Sequence, residues 1–150
     1  MKLETTFVDI TKLKTIEAAI TKSTKVLYCE SVSNPLLEVA DIKGLAAITK
    51  KYNLKLVADN TFLLLSIPSA ILGVNVVIHS LTKFINDSNN TVGGVFCATQ
   101  KFINNLRNVN QGASILLEVT MDSLRAASVL KNLRTLHIIM QQHRAKMNCF

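Results

Sequence analysis

Short apolar runs alternate with helical patterns along the first two thirds of the chain. The apolar runs predict strands at residues 7–9, 25–29, 54–58, 74–78 and 93–98. Apolar residues at helical spacing predict a helix over 9–20, and another that begins after Asp41 as its N-cap and ends near Tyr52. Pro68 is expected to open a short helix that Gly73 closes. This alternation predicts an α/β fold, a largely parallel sheet with helices on both faces.

After Thr99 the pattern is helical to the end of the chain, with one helix over 121–133 and another over 135–147. The chain has 150 residues, of which 49% are hydrophobic, and this is enough for one compact domain with a core. We therefore expect one domain over 1–150, with a sheet region over about 1–118 and C-terminal helices over about 119–150.

The formal net charge is +7, but the basic residues are scattered, no run of five like charges occurs and Trp is absent. These features do not favour nucleic-acid binding. The N-terminus has no apolar signal core, and the uncharged stretch 62–78 is interrupted by Pro68 and Gly73 and is short for a membrane span. We expect a cytoplasmic protein that does not contact a membrane.

The three cysteines, Cys29, Cys97 and Cys149, are widely spaced and odd in number. This spacing indicates neither a disulfide framework nor a metal site. Cys29 and Cys97 lie in apolar runs, so we expect both to be buried, reduced thiols.

Polar side chains follow three of the predicted strands: Asn34, Asp59, and the group Ser80, Thr82 and Lys83. The carboxyl ends of parallel strands share one rim, where such sheets bind ligands. A partly desolvated lysine can attack an aldehyde. Pyridoxal phosphate needs such an amine for its Schiff base, and a carboxylate against its ring nitrogen. The spacing alone also allows a strand-end aspartate that caps a turn and a lysine that is simply solvated.

Three segments carry a resemblance to a known family. They are 30–37 (ESVSNPLL), 57–62 (VADNTF) and 79–84 (HSLTKF). In order and spacing they resemble the Cys/Met-metabolism family of pyridoxal-phosphate enzymes, which includes cystathionine γ-synthase, the cystathionine lyases and methionine γ-lyase. The resemblance extends from about Thr6 to the last residues, and the tail from Met121 is most similar to the plant methionine γ-lyase branch.

The resemblance implies a role for each rim residue. Lys83 matches the Schiff-base lysine, which also carries protons, and Asp59 matches the partner of the pyridine nitrogen. Ser80 and Thr82 match phosphate ligands, and Asn34 matches a residue near the cofactor and the substrate carboxylate. The implied cofactor is pyridoxal 5′-phosphate.

The resemblance also implies the wider fold and activity. The implied fold is a three-layer α/β/α arrangement, part of the large domain of the aspartate-aminotransferase type (fold type I). The implied activity is that of a carbon–sulfur lyase or a transsulfuration enzyme that acts on a small sulfur amino acid. The family assembles as a homo-oligomer, a dimer of dimers.

Two departures from the family pattern support an alternative. The segment after the lysine usually carries two glycines, whereas residues 85–91 read INDSNNT, so we expect a distorted loop. The family's phosphate-binding glycine turn lies upstream of the matching segments, and its carboxylate-binding arginine lies downstream. The alternative is a truncated, non-catalytic family member or the product of a decayed gene.

Overall fold

The computed structural model describes residues 3–64, 69–88, 90–108, 112–113 and 120–147. Backbone contacts divide the chain into two compact units, 1–77 and 78–150. The first contains α1 (Leu13–Ala18), β1 (Val26–Glu30), α2 (Ile42–Lys51), β2 (Lys55–Asp59) and the beginning of β3 (Val76–Ser80). The second contains the end of β3, a π-helical turn (Leu81–Ile85), β4 (Gly94–Ala98), α3 (Gln100–Leu106), α4 (Ser123–Leu133) and α5 (Leu136–Met147).

The first unit is built on the parallel pair β1 and β2. Their register runs from Val26 opposite Lys55 to Glu30 opposite Asp59. One further bond follows the last pair, because the Ser31 backbone N–H donates to the Asp59 carbonyl at 2.8 Å. The predicted parallel pairing is confirmed, and both strands end at the same edge.

The core of the first unit lies on one face of this strand pair. Leu56 and Ala58 are two residues apart, point to the same face and are fully buried. They belong to one cluster with Cys29 of β1, and with Ile42 and Leu45 of α2. This packing places α2 against β2.

The predicted ends of α2 are confirmed. The Asp41 side chain accepts a hydrogen bond from the Gly44 N–H at 2.9 Å, as an N-cap does. After the helix, Asn53 adopts a left-handed backbone conformation with φ of 53°. This conformation turns the chain toward β2.

In the second unit, the π-helical turn lies between β3 and β4. The Leu81 N–H donates to the Gly93 carbonyl at 2.9 Å, and both α4 and α5 pack against the turn. Ile85 of the turn, with Leu136 and Met140 of α5, is among the buried apolar residues of this unit. Asp122 caps α4 by accepting from the Arg125 N–H at 3.0 Å.

Several predicted elements differ from those observed. Residues 7–9 form no strand, and Phe7 is 93% exposed, because an apolar run becomes a strand only beside a partner strand. Residues 69–73 form turns instead of a helix, with the Leu72 N–H bonded to the Ser69 carbonyl three residues earlier. Pro68, the predicted helix start, lies outside the described residues.

The two cysteines that the structure describes have different environments. Cys29 is 4% exposed in the core, as predicted, and burial raises the pKa of its thiol to about 11. Cys97 of β4 is exposed, so its predicted burial is wrong. Its apolar run indicates a strand but does not indicate whether another layer covers that strand; Val95 and Phe96 are exposed as well.

We expect iodoacetamide at pH 8 to alkylate Cys97 of the folded chain much faster than Cys29. The reactive species is the thiolate, and burial both shields Cys29 and keeps its thiol protonated. Peptide mass spectrometry over a time course measures both rates, and the same reaction in concentrated urea should bring them close together. Equal rates in the folded chain would show that Cys29 is not held in the core.

Candidate functional site

Asp59 ends β2 in the first unit, where its carboxylate is held by a local turn. Its Oδ1 accepts from the Thr61 N–H at 2.9 Å and from the Thr61 hydroxyl at 2.5 Å. Such a turn is typical of an aspartate that bonds the backbone two residues ahead. The side chain is half-buried, and both bonds fall on Oδ1. The turn therefore fixes the carboxylate and leaves its second oxygen outside these two bonds.

Asn34 lies in the turn that follows β1, at the same edge of the first unit. Its backbone N–H donates to Glu30 Oε2 at 3.1 Å, and Glu30 is the register partner of Asp59. The Asn34 side chain is exposed, and the peptide bond to Pro35 is cis. The structure therefore brings together the two segments of this unit that the sequence assigned to the rim.

Ser31 is a residue at this edge that sequence reasoning missed. It is 1% exposed, and in the described part of the chain its hydroxyl has no hydrogen-bond partner. Its backbone is bonded on both sides, to the Asp59 carbonyl and from the Ala40 N–H at 3.1 Å. The sequence signal that could have identified Ser31 is its position directly after β1, inside the segment 30–37 that resembles the family.

Lys83 lies in the second unit, inside the π-helical turn. Its backbone angles, φ −87° and ψ −127°, depart from helical values. Its carbonyl accepts from the Asp87 N–H at 2.9 Å, while its side chain is exposed. Among the described residues the Lys83 amine forms no ion pair. The partial desolvation expected for a reactive lysine is therefore not observed at Lys83.

Ser80 and Thr82 flank the start of the same turn. Ser80 is the last residue of β3 and is half-buried. The Thr82 hydroxyl accepts from the Gly93 N–H at 3.2 Å and donates to the Gly93 carbonyl at 3.4 Å. Thr82 therefore links the turn to the residue before β4. A phosphate bound to its hydroxyl would replace or share these two long bonds.

The loop after Lys83 is closed by side-chain hydrogen bonds. Asn86 is fully buried, and the Asn132 side chain of α4 donates to its carbonyl at 2.7 Å. Asp87 adopts a left-handed conformation with φ of 52°. Sequence reasoning singled out the lack of glycine here but missed Asn132, because nothing local relates residues that are 46 positions apart.

The predicted site residues are divided between the two units. Asn34 and Asp59 belong to the first unit, and Ser80, Thr82 and Lys83 belong to the second. Across the described ranges, no three His, Cys, Asp or Glu side chains come together as a metal site. No helix within those ranges is both long and apolar enough to cross a bilayer.

Comparisons with known proteins give a consistent result. The family model for Cys/Met metabolism PLP-dependent enzymes matches residues 1–149. The chain is 34% identical to methionine gamma-lyase of Arabidopsis thaliana over 142 residues, which are 94% of this chain and 32% of the relative. It is 37% identical to cystathionine gamma-synthase of Haemophilus influenzae over 140 residues, 91% of this chain and 37% of the relative.

Solved structures agree. The structure of cystathionine gamma-lyase from Lactobacillus plantarum complexed with L-serine superposes with a TM-score of 0.80 at 27% identity. The match covers 89% of this chain and 34% of that one. The predicted α/β fold is confirmed, and the chain spans about a third of the length of these relatives.

We expect Asp87→Gly to stabilise the folded chain by up to about 1 kcal/mol, because glycine adopts a positive φ without the steric cost that an L side chain carries. Urea denaturation followed by circular dichroism measures the change. Asp87→Ala is the matched control, since it removes the charge but keeps a Cβ atom, which carries the steric cost of a positive φ. If Ala stabilised the chain as much as Gly, the charge of Asp87 would be the cause and its backbone conformation would not.

Proposed function

The chain belongs to the Cys/Met metabolism PLP-dependent enzyme family, and from this we propose that it forms part of a pyridoxal-phosphate site in which Lys83 holds the cofactor. The observation that carries the proposal is the position of Lys83, directly after β3 in a turn that begins with the hydroxyl residues Ser80 and Thr82. We propose carbon–sulfur lyase or transsulfuration chemistry on a small sulfur amino acid for the protein to which this chain contributes.

Lys83 meets the chemical requirements of that role. A primary amine condenses with an aldehyde, so that a C=N bond replaces the C=O bond and water leaves, and the amine, once released, can move a proton at the substrate Cα. The backbone angles of Lys83 are not helical, and the Asn86 and Asp87 N–H groups hold the turn by donating to the Leu81 and Lys83 carbonyls. This arrangement supports an amine that is presented from a fixed base.

Asp59 supplies the carboxylate of the proposed site. When bound, the cofactor supplies a ring that accepts electrons from the substrate, and a carboxylate at its nitrogen strengthens that property. The Thr61 bonds hold Asp59 in one orientation through Oδ1. We propose that its other oxygen accepts a hydrogen bond from the protonated ring nitrogen. Such a charge-assisted bond is worth roughly 1.5–3 kcal/mol.

The remaining rim residues fit the rest of such a ligand. Ser80 and Thr82 offer hydroxyls to a phosphate, with Thr82 exchanging its Gly93 bonds in the process. Asn34 is exposed at the edge of the first unit, where its amide could bind a ring oxygen or a substrate carboxylate. We propose residues 1–150 as part of a larger cofactor-binding domain, and the homo-oligomer implied by the family remains a prediction.

Reductive trapping tests the proposal directly. We expect pyridoxal phosphate followed by borohydride to modify Lys83 about tenfold more than other lysines, because a phosphate bound by the neighbouring hydroxyls would hold the aldehyde close to this amine. Peptide mass spectrometry locates the modification. Lys83→Ala should remove it, whereas Lys101→Ala, which deletes an exposed lysine of the same unit, should leave it unchanged.

Even modification of all the lysines would contradict the proposal. The chain would then fit the alternative of a non-catalytic family member that does not bind the cofactor.

A further inference from the structure

A hydrogen-bonded cluster joins α4 to the loop that follows Lys83. The two N–H groups of the Asn132 side-chain amide are shared among three acceptors: the Asn86 carbonyl at 2.7 Å, Asn86 Oδ1 at 3.0 Å and the Ser88 hydroxyl at 3.0 Å. The Asn86 amide in turn donates to Asn90 Oδ1 at 3.0 Å. We call these four residues, Asn86, Ser88, Asn90 and Asn132, the asparagine clasp.

The centre of the clasp is inaccessible to water. Asn86 is 0% exposed, and its backbone N–H is also bonded, to the Leu81 carbonyl at 2.9 Å. The Asn86 side chain both donates and accepts, and a buried, hydrogen-bonded polar side chain favours one arrangement, because another would leave donors or acceptors unpaired. The clasp therefore specifies the loop conformation and does not merely fill space.

The clasp acts on the backbone on both sides of Lys83. The Asn86 N–H reaches back to Leu81, and the next N–H, that of Asp87, reaches back to the Lys83 carbonyl at 2.9 Å. Both N–H groups belong to the loop that Asn132 holds. Asn132 itself lies on α4, which is capped at Asp122 and packs against the turn. A helix thus serves as the fixed support for the loop.

We propose that Asn132 is a positioning residue: through Asn86 and Ser88 it fixes the turn that carries Lys83, so that the Lys83 amine is presented to an aldehyde ligand. The proposal rests on the cofactor role of Lys83 and deepens it. Asn132 touches no ligand itself. Its effect passes through the Asn86 and Asp87 N–H groups to the carbonyls of Leu81 and Lys83, and it adds a support from α4 to these local backbone bonds.

Two substitutions isolate the amide donor. Asn132→Ala removes it and leaves a good helix former, so α4 itself is not weakened. Asn132→Asp keeps the shape but replaces the donor with an acceptor that faces other acceptors. Asn104→Ala is the matched control, because Asn104 is an exposed helical asparagine of the same unit, bonded only to Gln100 in the described residues.

Two measurements follow the effect. Hydrogen exchange of the Asn86 and Asp87 amides reports the turn without any cofactor. Trapping with pyridoxal phosphate and borohydride reports the amine, as the ratio of Lys83 to Lys101 modification within the same molecules. Unfolding would also bring this ratio toward one, so circular dichroism first establishes that each variant is folded under the trapping conditions. We expect both Asn132 variants to exchange faster at these amides and to lose about tenfold in the ratio, as for a misplaced reactive group.

Each outcome decides a different question. Unchanged exchange at Asn86 and Asp87 in both variants would overturn the clasp, whatever the cofactor does. Faster exchange with an unchanged modification ratio would show that the clasp is structural only, and the positioning role would be wrong. If wild-type Lys83 is not preferred over Lys101, the cofactor role of Lys83 itself fails, and the positioning role fails with it.

Discussion

The parallel pairing of β1 with β2 is the constraint on which the first unit depends. Leu56 and Ala58 face the core, so the residues of opposite parity, Val57 and Asp59, face away from it. A slip of one residue would turn Asp59 inward and Ala58 outward. The register that buries the apolar residues is therefore the one that keeps the carboxylate out of the core. The edge where Asp59 lies is a consequence of packing, and the Thr61 turn then sets its orientation.

In the second unit, hydrogen bonds rather than strand register position the candidate residue Lys83. Lys83 has non-helical backbone angles inside a turn that is held by backbone bonds from Asn86 and Asp87. Thr82 bonds Gly93 before the lysine, and the asparagine clasp bonds the loop after it. Elements that must accept and release a ligand are often drawn from such irregular segments on a rigid support. Here α4 supplies that support.

Local signals in the sequence predicted much of this architecture. Asp41 as a cap, the end of α2 at Asn53 and the strand that ends at Asp59 depend on residues within a few positions, and all are confirmed. Predictions from the sequence were wrong or missing where contacts with residues far along the chain determine the structure. Cys97 was predicted to be buried but is exposed, and the prediction was wrong because strand propensity does not indicate whether another layer covers a strand. The bond from Asn132 to Asn86 joins residues far apart in the chain, and no local pattern marks it.

We propose that Asp59 supplies the carboxylate at the ring nitrogen of a cofactor held by Lys83. Nitrogen-15 resonance of pyridoxal phosphate labelled at that nitrogen measures its protonation in the bound state. Asp59→Asn is the appropriate comparison, because the amide oxygen can still accept from Thr61 while the charge is lost. We expect a protonated ring nitrogen in the wild-type chain and an unprotonated one in Asp59→Asn. The same resonance in both proteins would contradict it.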